Sequence, residues 1–180
     1  VDALRYDKAY DDTGAPLLDC LRFLDEHTVR FTHAFSPATS TQLSVPALMT
    51  SRFHYWDARR SIAGDMKRAG FHTMLFAHLA FVTHLSTPQQ GEYPPWDPAQ
   101  QFHQMNTVGE IGDRTAWGMG ASPGTADELT QVTIDAWSTR PGRKFGWVHY
   151  FDLHQWDQHE LDAPDDQYGA VLKEVDAAVT

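Results

Sequence analysis

The chain has 180 residues, 42% hydrophobic and 21% charged, and a formal net charge of -10 from 14 Lys+Arg against 24 Asp+Glu. That length suits one domain or part of a larger one, and the balance excludes a disordered tail, a coiled coil or collagen. No apolar run approaches the ~20 residues of a membrane span. The acidic surface repels phosphate backbones, so no nucleic-acid partner is expected. The lone Cys20 excludes an internal disulfide and a multi-cysteine zinc site.

In chain order, residues 1–5 (VDALR) read as the tail of a buried strand, and Asp11 to Pro16 as a turn. Leu17, Leu18, Leu21 and Leu24 recur at helical spacing within 16–27, with Pro16 near the first turn. Val29, Phe31, His33 and Phe35 alternate as in a strand over 29–35. A hydroxyl-rich loop then leads into a short apolar helix, with Pro46 in its first turn, where the missing N–H would cost nothing. Residues 58–69 predict an amphipathic helix closed by Gly70, followed by a buried strand over 71–78. A Gly- and Pro-rich excursion occupies about 86–124. Thr125 and Glu128 form a capping box at the head of a helix over 125–138. An apolar strand whose end turns polar covers 145–154, and a last helix opens near Asp165 with no stop signal before Thr180. Both ends of the chain read as cut points. Helices and strands alternate, which predicts an α/β fold.

Three groups of residues carry candidate chemistry. Asp2 lies at the expected carboxyl end of a strand, where open α/β sheets bind ligands, and a carboxylate there suits a hard divalent cation; a helix-capping or surface role is the plain alternative. The segment SPATSTQLSVPALMT sets hydroxyls before a helix, whose N-terminus attracts phosphate or sulfate, although Ser and Thr also serve there as ordinary caps. His149, His154 and His159 follow at five-residue intervals, not the four of the helical two-His zinc motif. His154 falls just past the strand and His78 equivalently after the preceding strand, while His149 is expected to face the sheet packing.

Six segments in this order resemble the sulfatase family of the alkaline-phosphatase superfamily: VDALRYD, VRFTHAFSPA, STQLSVPALMTS, SIAGDMKRAGFHTMLFAH, FGWVHYFDLHQW and QYGAVLKEVDAAV. The likeness covers roughly residues 1–80 and 125–180. It implies an alkaline-phosphatase-like, mostly parallel sheet with helices on both faces, here a single partial catalytic domain. It implies Asp2 as a metal ligand and Thr41 as the nucleophile and a second metal contact. His78 falls where many sulfatases hold substrate oxygens with a Lys, and His154 on the His that touches the substrate or leaving group. Formylglycine sulfatases need Cys or Ser at position 41, Pro or Ala two residues on and Arg four residues on. Thr41, Leu43 and Val45 stand there instead, so no formylglycine is expected. The Thr…Ser-Val-Pro pattern resembles the phosphoethanolamine and phosphoglycerol transferases, which attack with an unmodified Thr.

The implied activity is metal-dependent hydrolysis or transfer of a phosphate or sulfate ester, small-molecule, lipid or glycan, with zinc, calcium or manganese as the ion. The family's second metal half-site, an Asp-His-Gly motif, does not occur in these 180 residues; the resemblance places it in a C-terminal half joined in cis. It also implies a periplasmic, extracellular or membrane-anchored setting. The alternative is a non-catalytic sulfatase-fold relic with a binding or scaffold role, favoured by Val45 in place of Arg.

Overall fold

The computed structural model describes residues 1–53, 61–77, 101–103, 126–154 and 166–180. In chain order they form α1 (Tyr6–Ala9), α2 (Asp19–His27), α3 (Thr41–Thr50), α4 (Ile62–Arg68), β1 (His72–Ala77), β2 (Gln101–His103), α5 (Ala126–Thr139), β3 (Lys144–His149) and α6 (Gln167–Val179). They fall in two compact units. One comprises Val1–Ala34, Ser122–Gln131 and Tyr150–Thr180, the other Phe35–Ala121 and Val132–His149.

The first unit is built on α6. Val171, Leu172 and Val175 recur at helical spacing and are all buried, joined by Ala9, Leu18, Ala126 and Leu153. Burial of each Val or Leu contributes about 1.5–3 kcal/mol. Asp166 caps α6 by accepting the Gly169 N–H at 2.9 Å. The turn expected at 11–16 is present. Asp11 accepts N–H bonds from Thr13 and Ala15, Gly14 sits at φ 81°, and Tyr10 bridges to Pro16 antiparallel to it. The helix predicted over 16–27 starts at Asp19, and Pro16 belongs to that bridge.

The second unit contains a parallel sheet in the order β2-β1-β3. β1 pairs Leu75 with Gln101 on one side and with Trp147 on the other. Its residues Thr73, Met74, Leu75 and Phe76 are all buried, the last three an apolar run, as in a central parallel strand. Val45 and Met49 of α3 and Ala63 of α4 pack with Leu75, with Phe145 and Trp147 against them. Ser61 caps α4 through the Gly64 N–H. Gly70 ends it as expected, at φ 80°, with its N–H on the Lys67 carbonyl and the Phe71 N–H on that of Met66, a Schellman closure. The fold is therefore mixed α/β with a small parallel sheet.

Four expectations are corrected. Residues 29–35 form no strand, and Val29, Phe31 and Phe35 are exposed. Alternation satisfies the period of a strand but supplies no partner for its ladder. The segment's Arg30 is held instead by the Gly14 carbonyl at 2.9 Å, by Asp25 at 3.1 Å and over the Tyr10 ring. Residues 1–5 form no strand either, because Ala3 takes φ 55°, which breaks an extended run. Helix α3 begins at Thr41, so Pro46 lies inside it and is buried, not in its first turn. The sequence segment FGWVHYFDLH ends as a strand at His149 and turns through a short 3₁₀ stretch at 152–154.

Candidate functional site

Asp2 belongs to the first unit and lies beside the chain that leaves β3. Its N–H donates to the Tyr150 carbonyl at 2.8 Å. Its carboxylate Oδ1 accepts the Ala3 N–H, also at 2.8 Å. Ala3 is left-handed, a conformation that costs a residue with a Cβ about 1–2 kcal/mol, and the turn is tied down from α6. The Tyr168 hydroxyl donates to the Ala3 carbonyl and accepts the Arg5 N–H, both at 2.9 Å. Asp2 thus occupies a braced turn and not a strand.

His154 belongs to the same unit. It is exposed, stacks on Phe151 with ring centroids 4.3 Å apart, and is fixed in its turn by an N–H bond to the Phe151 carbonyl. An exposed imidazole backed by a buried aromatic ring is accessible and oriented, as an acid–base or oxyanion contact requires. Two residues before it, Asp152 is 2% exposed. This buried carboxylate was not singled out from the sequence; its signal is a lone charge between Phe151 and Leu153, both also buried. Tyr150 shares a 2.7 Å hydrogen bond with Thr130. Burial pushes the Tyr150 phenol above its usual value, and the nearby Asp152 charge acts in the same direction.

Thr41 belongs to the second unit, where it is half-buried as the first residue of ten-residue α3. The Ser40 side chain makes no capping bond, and no acidic residue stands in the first turn. The Ser40 carbonyl takes the N–H groups of Leu43 and Ser44 at 3.1 and 2.9 Å, which begins the helix. Val45, four residues on, is buried in the core with Met49 and Leu75. His149 is buried in β3, as expected. His78, His159 and Thr125 lie outside the described residues, as does the excursion at 86–124 apart from β2.

Within the first unit Asp2 and His154 therefore flank the same short stretch after β3, one through Tyr150 and the other through Phe151. Among the described residues no three His, Cys, Asp or Glu side chains gather to hold a metal ion. The donors named by the resemblance, the Asp2 carboxylate and the Thr41 hydroxyl, are hard oxygens and fit calcium or manganese in kind. No helix among the described residues is long and apolar enough to cross a membrane. Comparison with protein-family models, with curated proteins and with solved structures finds no match.

Proposed function

We propose that the chain is part of a sulfatase-like, metal-dependent hydrolase or transferase that acts on phosphate or sulfate esters through Thr41. The observation that carries this reading is Thr41 at the head of α3, with no acidic side chain in the first turn. A helix N-terminus favours anions by its partial positive charge, and it would stabilise charge on the ester's oxygens as Thr41 attacks. The parallel sheet supports an alkaline-phosphatase-like core with helices on both faces, of which this chain would be an incomplete portion.

In this mechanism the Thr41 oxygen attacks phosphorus or sulfur, and the bond to the leaving alcohol breaks. His154, exposed and held against Phe151, gives the leaving oxygen its proton or binds a non-bridging oxygen; His78 takes the other of these roles. Water or an acceptor alcohol then attacks the same phosphorus or sulfur and releases it from the phospho- or sulfo-ester on Thr41, in the two-step manner of nucleophilic catalysis. The resemblance assigns a divalent cation, zinc, calcium or manganese, with Asp2 and Thr41 each named as a ligand; such an ion would supply the lowered hydroxyl pKa that makes a Thr usable. The substrate is a small-molecule, lipid or glycan ester, and the setting is periplasmic, extracellular or membrane-anchored.

The test is turnover of aryl phosphate mono- and diesters by the chain joined to the Asp-His-Gly segment that the resemblance calls for. Thr41→Ala abolishes turnover, and aryl sulfate is turned over poorly by the parent. Robust sulfatase activity that survives Thr41→Ala overturns both the nucleophile and the substrate class. The burial of Val45 favours a second reading, a non-catalytic binding scaffold, because a core position cannot present the Arg that sulfate contact normally uses. Absence of any turnover by that joined protein at saturating metal decides for the scaffold.

A further inference from the structure

We infer that residues 29–35 are an interface: they pair antiparallel with the same residues of a second copy of this chain, about a two-fold axis at Thr32. Val29, Phe31 and Phe35 are 79%, 79% and 87% exposed, and every residue from Glu26 to Pro37 is exposed. Large apolar side chains exposed to that degree so close together mark an interaction site. Among the described residues, none of the backbone N–H or C=O groups of 29–35 makes a backbone hydrogen bond of normal geometry. The segment thus has the period of a strand, apolar side chains on one side and an unused ladder, which is what strand addition requires. Pro37, which has no N–H to donate, bounds it. Thr32 and His33 turn in the free chain, and their side chains share a 3.0 Å hydrogen bond. Neither is among the residue types that dominate turns, so pairing has little to undo.

Two observations choose a second copy as the occupant. The first is charge. The chain carries a formal net charge of -10, yet residues 31–51 contain no Asp, Glu, Lys or Arg. Two acidic copies repel one another least where they present this stretch, and it offers no charge by which a partner of opposite sign would be chosen. The second is self-complementarity. With Thr32 on the axis, Val29 lies opposite Phe35, Phe31 opposite His33, Arg30 opposite Ala34, and Thr32 opposite itself. An aromatic residue facing a β-branched one, and threonine facing threonine, are favoured cross-strand pairs. The one cation, Arg30, never faces its own copy, so no like charges meet. The odd-numbered side chains of both copies fall on one face of the ribbon and shield one another, with Arg30, Thr32 and Ala34 on the other face. Such an interface is isologous and closes at two copies. The ribbon is short, so the dimer forms only at high protein concentration.

The test is sedimentation velocity of the full 180-residue chain from about 1 µM to about 1 mM, the range a weak interface spans, together with disulfide trapping in a Cys20→Ser background. The parent should pass from monomer to dimer across that range, and the amides of 29–35 should gain protection from exchange in the dimer. Phe31→Lys, at a position whose exposure leaves the core untouched, should weaken the dimer about tenfold or more, since it removes both Phe31–His33 pairs and charges the edge. Thr32→Cys should oxidise to a linked dimer, because residues directly opposite in an antiparallel pair stand about 4.5–5.5 Å apart at Cα, within disulfide reach. Ala34 is also exposed, but in this register it is displaced from its own copy by about 14 Å along the ribbon. Ala34→Cys should therefore link only at the slow rate of random collision. A parent that stays monomeric at about 1 mM overturns the inference; if the 29–35 amides of that monomer are already protected, the strand's partner lies within its own chain. A dimer that Phe31→Lys leaves intact, equal trapping at positions 32 and 34, or growth past two copies without limit also overturns it.

Discussion

Asp176 caps a helix to which it does not belong: its Oδ1 accepts the N–H of Cys20 at the head of α2, at 2.9 Å. The other carboxylate oxygen takes the Asp19 N–H, also at 2.9 Å. Leu18, which stands at the capping position of α2, has no side-chain acceptor to offer. A side chain 156 residues further along the chain therefore completes the helix and locks α2 to α6.

Replacement of Asp176 by Ala should cost about 1–2 kcal/mol, the range of a lost helix cap, and Asp176→Asn less, because one amide oxygen still accepts. Partial burial pushes the Asp176 carboxyl up, but the Cys20 and Asp19 amides together outweigh it and hold it below the usual carboxylate range. Its folded pKa is thus below the unfolded value of about 3.9. The contribution is fully present above that value and is lost as the pH falls through the folded pKa. Melting temperatures of the parent and Asp176→Asn, followed from pH 7 to pH 2, should converge at the acid end. A constant gap would disprove the linkage.

Cys20 should be an unreactive thiol. Burial, then the hydrogen bond and charge of Asp176, push it from 9.0 up to about 11. At pH 8 its thiolate fraction is about 100-fold below that of an unperturbed cysteine. Alkylation by iodoacetamide, read by mass spectrometry, should be correspondingly slow in the folded chain and faster in Asp176→Asn. Equal rates in the two proteins would show that the carboxylate is not responsible.

Gly146 admits Trp137. A Cβ at Gly146 would meet the Trp137 ring at 3.1 Å, so the indole of α5 approaches β3 this closely only because that position is bare. Gly146→Ala should destabilise by about 1–3 kcal/mol, as overpacking does. Trp137→Leu should cost stability alone yet recover part of the loss when combined with Gly146→Ala. A denaturant-based double-mutant cycle measures the coupling; strict additivity would mean that the ring does not press on the strand.

Gly70→Ala should cost about 1 kcal/mol in urea unfolding, since φ 80° strains any L side chain. The added methyl itself would meet the Arg143 guanidinium at an ordinary 3.5 Å, so the cost is conformational. Gly70→Asn, which tolerates the left-handed region better, should lose less than Gly70→Ala; the reverse order would make the cost steric.

Gly70 was legible because a helix stop is a local event: one residue, one backbone conformation. The same holds for the helical spacing of Leu21 and Leu24 in α2, the start of α6 and the apolar runs of β1 and β3. The alternating Val29, Phe31, His33 and Phe35 mislead because a strand exists only through its neighbour, and no local pattern shows whether one is there. Pro46 misleads because its φ is helical at any position, so the residue alone does not tell a first turn from the interior it occupies in α3. Of the candidate site, a hydroxyl-rich stretch before a helix and His154 beyond a strand were readable from the pattern, while Thr41 itself was singled out only by the family resemblance. The brace by Tyr168 and the cap by Asp176 were not. Each joins residues more than 150 positions apart, and a single hydrogen bond at that range leaves no periodicity behind.

The parallel pairing of β1 also has a consequence in time. His72 meets Lys144, about 70 residues later in the chain. At a synthesis rate of ~5–20 residues per second, β1 leaves the ribosome several seconds before that edge can be covered. HTMLFA carries no acid, no lysine and no proline, and such a strand readily joins another copy of itself. Nascent chains of this protein are therefore most open to mutual association in the interval between completion of residue 77 and arrival of residue 144. Crowded expression should yield aggregates nucleated on β1, and slower initiation, which spaces the nascent chains apart, should raise the soluble fraction.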